Sequence, residues 1–360
     1  MVTGDGGALR SFHGHLHGTF TRWGDALFEL CDAALCTVGP VGSIPSLSLE
    51  PEFSRSHGSL YKALSNGRID EERLRRLLVA HRPANWPMVF AVDASTFDRC
   101  DAECSPERGF YYSASKHSAG RPIVAGWNYQ WICQLDWAPD SWTAPLDAMR
   151  IAPGTDATVA QVARLVGLLG ESDEVPLFVF DAGYDPVAIG HHLAGTRVEV
   201  CCRIRDDRVF YSDPPPRPNR PPESGGRPPR HGKRWKCSEP TTWPEPSARL
   251  VAADPRYGQV TVTAWHEMHP KLLCRAHWSD LDVPPIVKGS VIRVDVEHLP
   301  NPTSRAKKTL WLWWAGEGEP DLDRCVRAYL RRWAIHLNGV TSTSCGGLPD
   351  RRQALPALLR

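Results

Sequence analysis

The chain has 360 residues, 42% of them hydrophobic and 23% charged, which is enough to bury the core of one large domain or two ordinary ones. Lys plus Arg (42) nearly cancel Asp plus Glu (41), so any polyanion-binding surface must come from local clustering, and net charge neither supports nor excludes DNA. No charged-then-apolar signal pattern opens the chain and no apolar run approaches the ~20 residues of a membrane span, so a cytoplasmic protein with no membrane partner is expected. Eleven scattered cysteines are an odd number and lack the density of a secreted disulfide framework, so most are expected to be buried thiols.

Residues 23–35 place Ala26, Leu27, Leu30 and Cys31 on one helical face. Residues 70–81 read as a second helix, with Asp70 as N-cap, acids in the first turn and arginines after it. From Met88 the texture changes to a short apolar run closed by Asp93, a buried strand. Residues 110–115 suggest the next strand. The alternation of Trp127, Tyr129, Trp131, Cys133 and Leu135 gives a third. Val159, Val162, Leu165, Val166 and Leu169 recur at helical spacing before Gly170, and residues 175–181 repeat the pattern of an apolar run ending in an aspartate, Asp181. A short helix over 186–194 and a strand over 197–205 complete a β-β-β-α-β-α-β order.

Residues 211 to about 248 interrupt this order with a Pro/Gly-rich stretch containing Arg217, Arg220, Arg227, Arg230, Lys233, Arg234 and Lys236. Such a composition reads as a mobile loop, and two readings stay open: arginines with Trp235 tracking phosphates, or a solvated excursion. Strand-like runs return over 259–265, 290–296 and 309–314, before a helix that carries Arg324, Arg327, Arg331 and Arg332.

Asp93 and Asp181 each close a buried strand. If the first and fourth strands are neighbours, both carboxylates leave the sheet at one edge, and a divalent cation resolves their repulsion. Hard oxygen ligands favour Mg²⁺ or Mn²⁺, and a two-metal arrangement activates water and stabilises the leaving oxygen in phosphodiester cleavage. Taken singly, either aspartate reads as an ordinary turn residue; it is the pair, in this strand order, that points to a metal.

Residues 91–97 (AVDASTF), 179–185 (VFDAGYD) and 329–336 (YLRRWAIH) resemble the DDE transposases of bacterial insertion sequences. The resemblance implies an α/β fold with a ribonuclease H-like mixed sheet core, a β-rich insertion and a helical N-terminal region. It also implies metal binding by Asp93 and Asp181. The family's third signature is Tyr, two residues, Arg, three residues, Glu, six residues, Lys; Tyr329 and Arg332 fit, but the Glu position holds His336 and the Lys position Thr343. Tyr329 and Arg332 are then expected to position phosphate, with Arg327 and Arg331 beside them as DNA-backbone contacts.

Histidine supplies no carboxylate for Mg²⁺, and Gly339, Gly346, Gly347 and Pro349 oppose the helix that the family continues beyond this point. The expectation is a chain truncated or frame-shifted after His336. The division that follows is 1–85 helical and DNA-binding, 86–205 core, 206–315 insertion with the Pro/Arg-rich loop, 316–336 final core helix and 337–360 aberrant tail. The expected function is metal-dependent cleavage and strand transfer at transposon ends, impaired by the missing acid. Its partner is double-stranded DNA at transposon ends and target, with homo-oligomer formation open. A non-catalytic DNA-binding remnant, an inhibitor of an intact copy and a structure-specific nuclease are the alternatives.

Other metal patterns fail on spacing. His266 and His269 are three apart in a strand-like setting rather than four apart on a helix, and Cys100 and Cys104 lack a second pair. His13, His15 and His17 read as part of a flexible terminus.

Overall fold

Apolar residues at helical spacing make the N-terminal part mostly helical: α1 (Gly6–His17), α2 (Gly24–Cys36), α3 (Ile44–Leu47), α4 (His57–Asn66) and α5 (Glu71–Ala80). Two short strands, β1 (Phe20–Arg22) and β2 (Arg68–Ile69), pair antiparallel among them. The fold is known from a computed structural model, which describes residues 6–38, 41, 43–112, 122–138, 142–215, 229–299 and 307–332. Helix α2 buries Ala26, Leu30 and Ala33, and Asp70 caps α5 by accepting a hydrogen bond from Arg73 N at 2.9 Å. The expected flexible segment at 13–17 is instead the end of α1. Two of its imidazoles are tied to α2 through His13–Asp32 and His17–Asp25 contacts of 2.9 Å each.

The run beginning at Val89 forms β3 (Val89–Asp98), whose residues 89–92 are fully buried as a strand covered on both faces requires. It is followed by β4 (Gly109–Tyr112), β5 (Ile123–Leu135), β6 (Thr143–Ile151), α6 (Thr158–Leu169), β7 (Leu177–Phe180), α7 (Pro186–His192) and β8 (Glu199–Ile204). Strand β6 was not anticipated. Asp93 does not end its strand either: β5 continues antiparallel beside β3 from Phe90↔Gln134 through Asp93↔Trp131 to Asp98↔Gly126, which keeps β3 extended past the aspartate. Residue 126 is glycine because a Cβ there would stand 2.0 Å from the Phe97 carbonyl oxygen.

Strands β9 (Val209–Tyr211), β10 (Arg234–Lys236), β11 (Ala248–Asp254), β12 (Gly258–Met268), β13 (Gly289–Val296) and β14 (Thr309–Ala315) precede the final described helix, α8 (Leu322–Arg331). The large sheet has ten strands in the order β11-β12-β13-β14-β8-β7-β3-β5-β4, with β6 also on β5. Its part β6-β5-β3-β7-β8, antiparallel then parallel, is a ribonuclease H-like mixed sheet, and β14 extends it by pairing antiparallel with β8. Helices α6 and α7 cover one face, over Phe90, Val92, Ile132, Phe178 and Phe180. Helix α8 covers the other, over Ala91, Cys133, Leu177, Val179 and Cys201.

The Pro/Arg-rich stretch divides. Residues 216–228, with Arg217, Arg220 and Arg227, lie outside those described, but 229–248 are ordered into β10 and the chain leading to β11. Trp235 is 1% exposed and packs on Trp265, ring centroids 5.2 Å apart, within a cluster with Trp311 and Trp313. An indole buried in this way cannot accompany arginines along a phosphate backbone, which overturns that reading for Trp235. Among the described residues, no helix is long and apolar enough to cross a membrane.

Candidate active site

Strands β3 and β7 are parallel neighbours in the register Val89↔Leu177, Phe90↔Phe178, Ala91↔Val179, and continuing it sets Asp93 level with Asp181. Alternation along each strand puts both aspartates on the face that carries Ala91 and Val179, the face covered by α8. Strand β7 ends at Phe180, so Asp93 lies where its parallel neighbour leaves the sheet. The sequence expectation that the first and fourth strands lie side by side is met.

Main-chain donors hold each carboxylate. Asp93 Oδ1 accepts from Ala94 N at 2.8 Å, and Asp181 Oδ1 accepts from Gly183 N at 2.7 Å, closing an Asx-type turn. A Cβ on residue 183 would stand 3.0 Å from that oxygen, close enough that the carboxylate would have to shift by a few tenths of an ångström. The rest of the motif builds the exit: Asp185 Oδ1 caps α7 by accepting from Val187 N (3.1 Å) and Ala188 N (3.2 Å), with Pro186 in the first helical turn. Cys202 Sγ on β8 donates to the Asp181 carbonyl at 3.0 Å and fixes the strand end from the other side.

Two further groups flank the aspartates, one packed on the α6–α7 face of the sheet and one on the α8 face. Tyr184 donates its hydroxyl to Gln130 Oε1 at 3.2 Å, and Gln130 is bound in turn to Gln161 (2.7 Å) and Thr158 (3.2 Å). Burial, with Asp93 and Asp181 adding to it, holds the Tyr184 phenol well above the usual tyrosine range, so it stays a neutral donor. The other group is Arg332. It is 1% exposed, its Nη1 lies 3.2 Å from Asp93 Oδ2, and its guanidinium carbon is 5.4 Å from the Tyr329 ring centroid. Burial disfavours the Arg332 cation, but Asp93, then Tyr329 and Asp181, outweigh it and leave its pKa above the ordinary value.

Helix α8 delivers Arg332 because its first turn is fixed. Asp321 caps it, accepting from Arg324 N at 3.0 Å. The Arg324 side chain binds Glu199 (2.7 Å), Glu174 (3.1 Å) and the carbonyls of Met88 (3.1 Å) and Val175 (2.6 Å), so the helix start is tied to the beginnings of β3, β7 and β8. From there the helix crosses the sheet face to Asp93. Tyr329 is buried beneath it; Arg331 donates to the Asp136 carbonyl at 2.8 Å; Arg327 lies 4.4 Å over the Trp137 ring and pairs with Asp323 at 3.3 Å. Of the four residues expected at DNA, Arg327 is exposed and Arg331 half-buried, while Tyr329 and Arg332 lie under the surface at Asp93.

Asp93 and Asp181 supply hard oxygen donors with more negative charge than Arg332 alone neutralises, a set that suits a divalent cation. Among the described residues, no third carboxylate, imidazole or thiol joins a cluster able to hold a metal. Residue 336, Thr343 and the tail from 337 lie outside the described residues.

Among solved structures, the chain is similar at 12% identity and a TM-score of 0.36 to the cryo-EM structure of a piggyBac transposase synaptic complex with hairpin DNA; the likeness covers 89% of this chain and 59% of that one. No curated protein matches it. Residues 11–271 match the model of the family described as DDE superfamily endonuclease. That match takes in both aspartates and most of the sheet, and the chain belongs to the DDE superfamily endonucleases.

Proposed function

We propose that the chain is a DDE transposase of the bacterial insertion-sequence type, acting in the cytoplasm on double-stranded DNA at transposon ends and target. Its chemistry is cleavage and strand transfer, impaired here by loss of the third acid. The observation that carries this reading is the level placement of Asp93 and Asp181 on adjacent parallel strands. These two side chains would hold Mg²⁺ or Mn²⁺, which when bound supplies a polarised water and neutralises charge on the leaving oxygen. The chain's own part is to hold both carboxylates in place through Ala94 N and Gly183 N and to temper their repulsion with Arg332.

The impairment follows from helix geometry. The signature's intervals of three and four residues, from Tyr329 to Arg332 and on to position 336 of the sequence, are those that share one face of an α-helix. A glutamate there completes a carboxylate triad; His336 brings no carboxylate. We attribute the sequence after it to a lost reading frame, which translation of the other frames of the locus checks by the presence or absence of a continuing basic helix. A DNA-binding remnant is the second reading, favoured by the Arg332 guanidinium already seated on Asp93.

Incubation with the element's terminal-repeat DNA in Mg²⁺ or Mn²⁺ tests both. Salt-sensitive binding with little or no cutting is expected. Efficient cutting that disappears in Asp93→Asn contradicts the impairment, and no binding at any salt contradicts the transposase reading.

A further inference from the structure

Beyond Asp93, β3 runs on without β7 beside it, and the sheet face shared with the two carboxylates becomes aromatic. Along β5, Trp131 stands opposite Asp93, Tyr129 opposite Ser95 and Trp127 opposite Phe97, all on that one face. Each of the three rings is only half-buried. Phe97 meets Tyr129 edge-on, with centroids 5.4 Å apart. On the other side of β5, Phe110 pairs with Ala125, so its side chain joins the same face, and it is 79% exposed.

The strip also carries positive charge. The guanidinium carbons of Arg99 and Arg150 lie 4.9 and 4.6 Å from the centroid of the Trp127 ring, whose Nε1 donates to the Pro106 carbonyl at 3.0 Å. Arg150 also donates to the Pro106 carbonyl, and Arg99 to that of Asp98. The acid paired with Arg150, Glu107, is 3.6 Å away and 61% exposed, so water can take it when a phosphate replaces it.

We infer that this strip, Trp131, Tyr129, Trp127 and Phe110 with Arg99 and Arg150, is a subsite for an unpaired DNA strand leading away from the cleaved bond. Successive rings on one strand face are spaced by about 6.7 Å, twice the strand rise per residue. That is about double the 3.4 Å step of stacked B-form DNA, a spacing that suits bases splayed apart rather than stacked. Partly exposed rings interleaved with arginines are the combination that binds single strands without sequence preference. Continuity with Asp93 and Asp181 on the same face sets the polarity of the subsite: it receives DNA next to the reacting phosphate. The inference rests on the DNA reading above.

The test compares a labelled blunt duplex with the same duplex carrying a short oligothymidine tail, by fluorescence anisotropy over a salt series in metal-free buffer. The wild-type chain is expected to prefer the tailed duplex. Phe110→Ala, at an exposed position where folding is undisturbed, and Trp127→Ala should each weaken tailed binding about tenfold and leave blunt binding unchanged. The double variant Arg99→Gln/Arg150→Gln should lower the salt slope on tailed DNA by about 1.4, the single-strand value for two phosphate contacts. Equal binding of tailed and blunt duplex, or a loss in Phe110→Ala that is the same for both, overturns the subsite and leaves the DNA reading standing. Absence of DNA binding by the wild-type chain overturns both.

Discussion

Arg332→Met is expected to destabilise the metal-free protein by about 3 kcal/mol, because it withdraws the cation from a carboxylate that is itself buried. Methionine fills much of the same volume, so the loss reports charge rather than packing. The same substitution should increase the response to Mn²⁺. A guanidinium 3.2 Å from Asp93 repels a second cation, and removing it leaves the full charge of the carboxylates for the metal. Thermal unfolding with and without Mn²⁺ measures both effects, since a ligand held at 100 times its Kd adds about 2.7 kcal/mol to the state that binds it. A Mn²⁺-induced rise in Tm no larger than that of the wild type counts against a metal at this position.

Asp147→Ala should be comparably damaging, for a different reason. Asp147 lies on β6 with its side chain 2% exposed, and it accepts from Arg75 Nε on α5 at 2.8 Å and from Arg164 Nη2 on α6 at 2.7 Å. Arg75 keeps Glu72 at 2.8 Å, but its guanidinium is 7% exposed and loses its buried partner. A cost of about 3–5 kcal/mol in urea unfolding is expected, with the N-terminal helices released first to limited proteolysis. Combining Asp147→Leu with Arg75→Met should recover much of the loss, because two apolar groups need no compensating charge. If the double substitution is as harmful as Asp147→Ala, packing and not the ion pair holds α5 to the sheet.

What the sequence made legible was whatever local pattern encodes. The apolar runs at 88–92 and 176–180 are buried on both faces, so they read as strands without reference to their neighbours, and the aspartates that follow them could be paired on strand order alone. Strand β6 escaped because Pro145, Asp147 and Arg150 break any apolar alternation; its place at the edge, paired only with β5, is what tolerates the proline. Helix α1 escaped because GGALRSFHGHLH has glycines and histidines where a helix signal would need alanine or leucine, and its contacts to Asp25 and Asp32 are tertiary.

The candidate site shows the same division. DAGYD is local: a turn aspartate, the glycine whose N–H it accepts, and a capping aspartate lie within five residues. The Arg332–Asp93 contact spans 239 residues of chain, and no spacing rule reaches it. The fold seats the signature's arginine against a carboxylate of the site. Tyr184 could have been suspected from its place between two aspartates, but its partner Gln130 lies 54 residues away on β5.

Mn²⁺ titration followed by electron paramagnetic resonance measures, without requiring activity, whether Asp93 and Asp181 together form one divalent-cation site. The wild-type chain is expected to bind Mn²⁺, and Asp93→Asn and Asp181→Asn should each bind it at least about tenfold more weakly, since each substitution removes a charged hard ligand. Wild-type affinity in both variants would contradict a shared site.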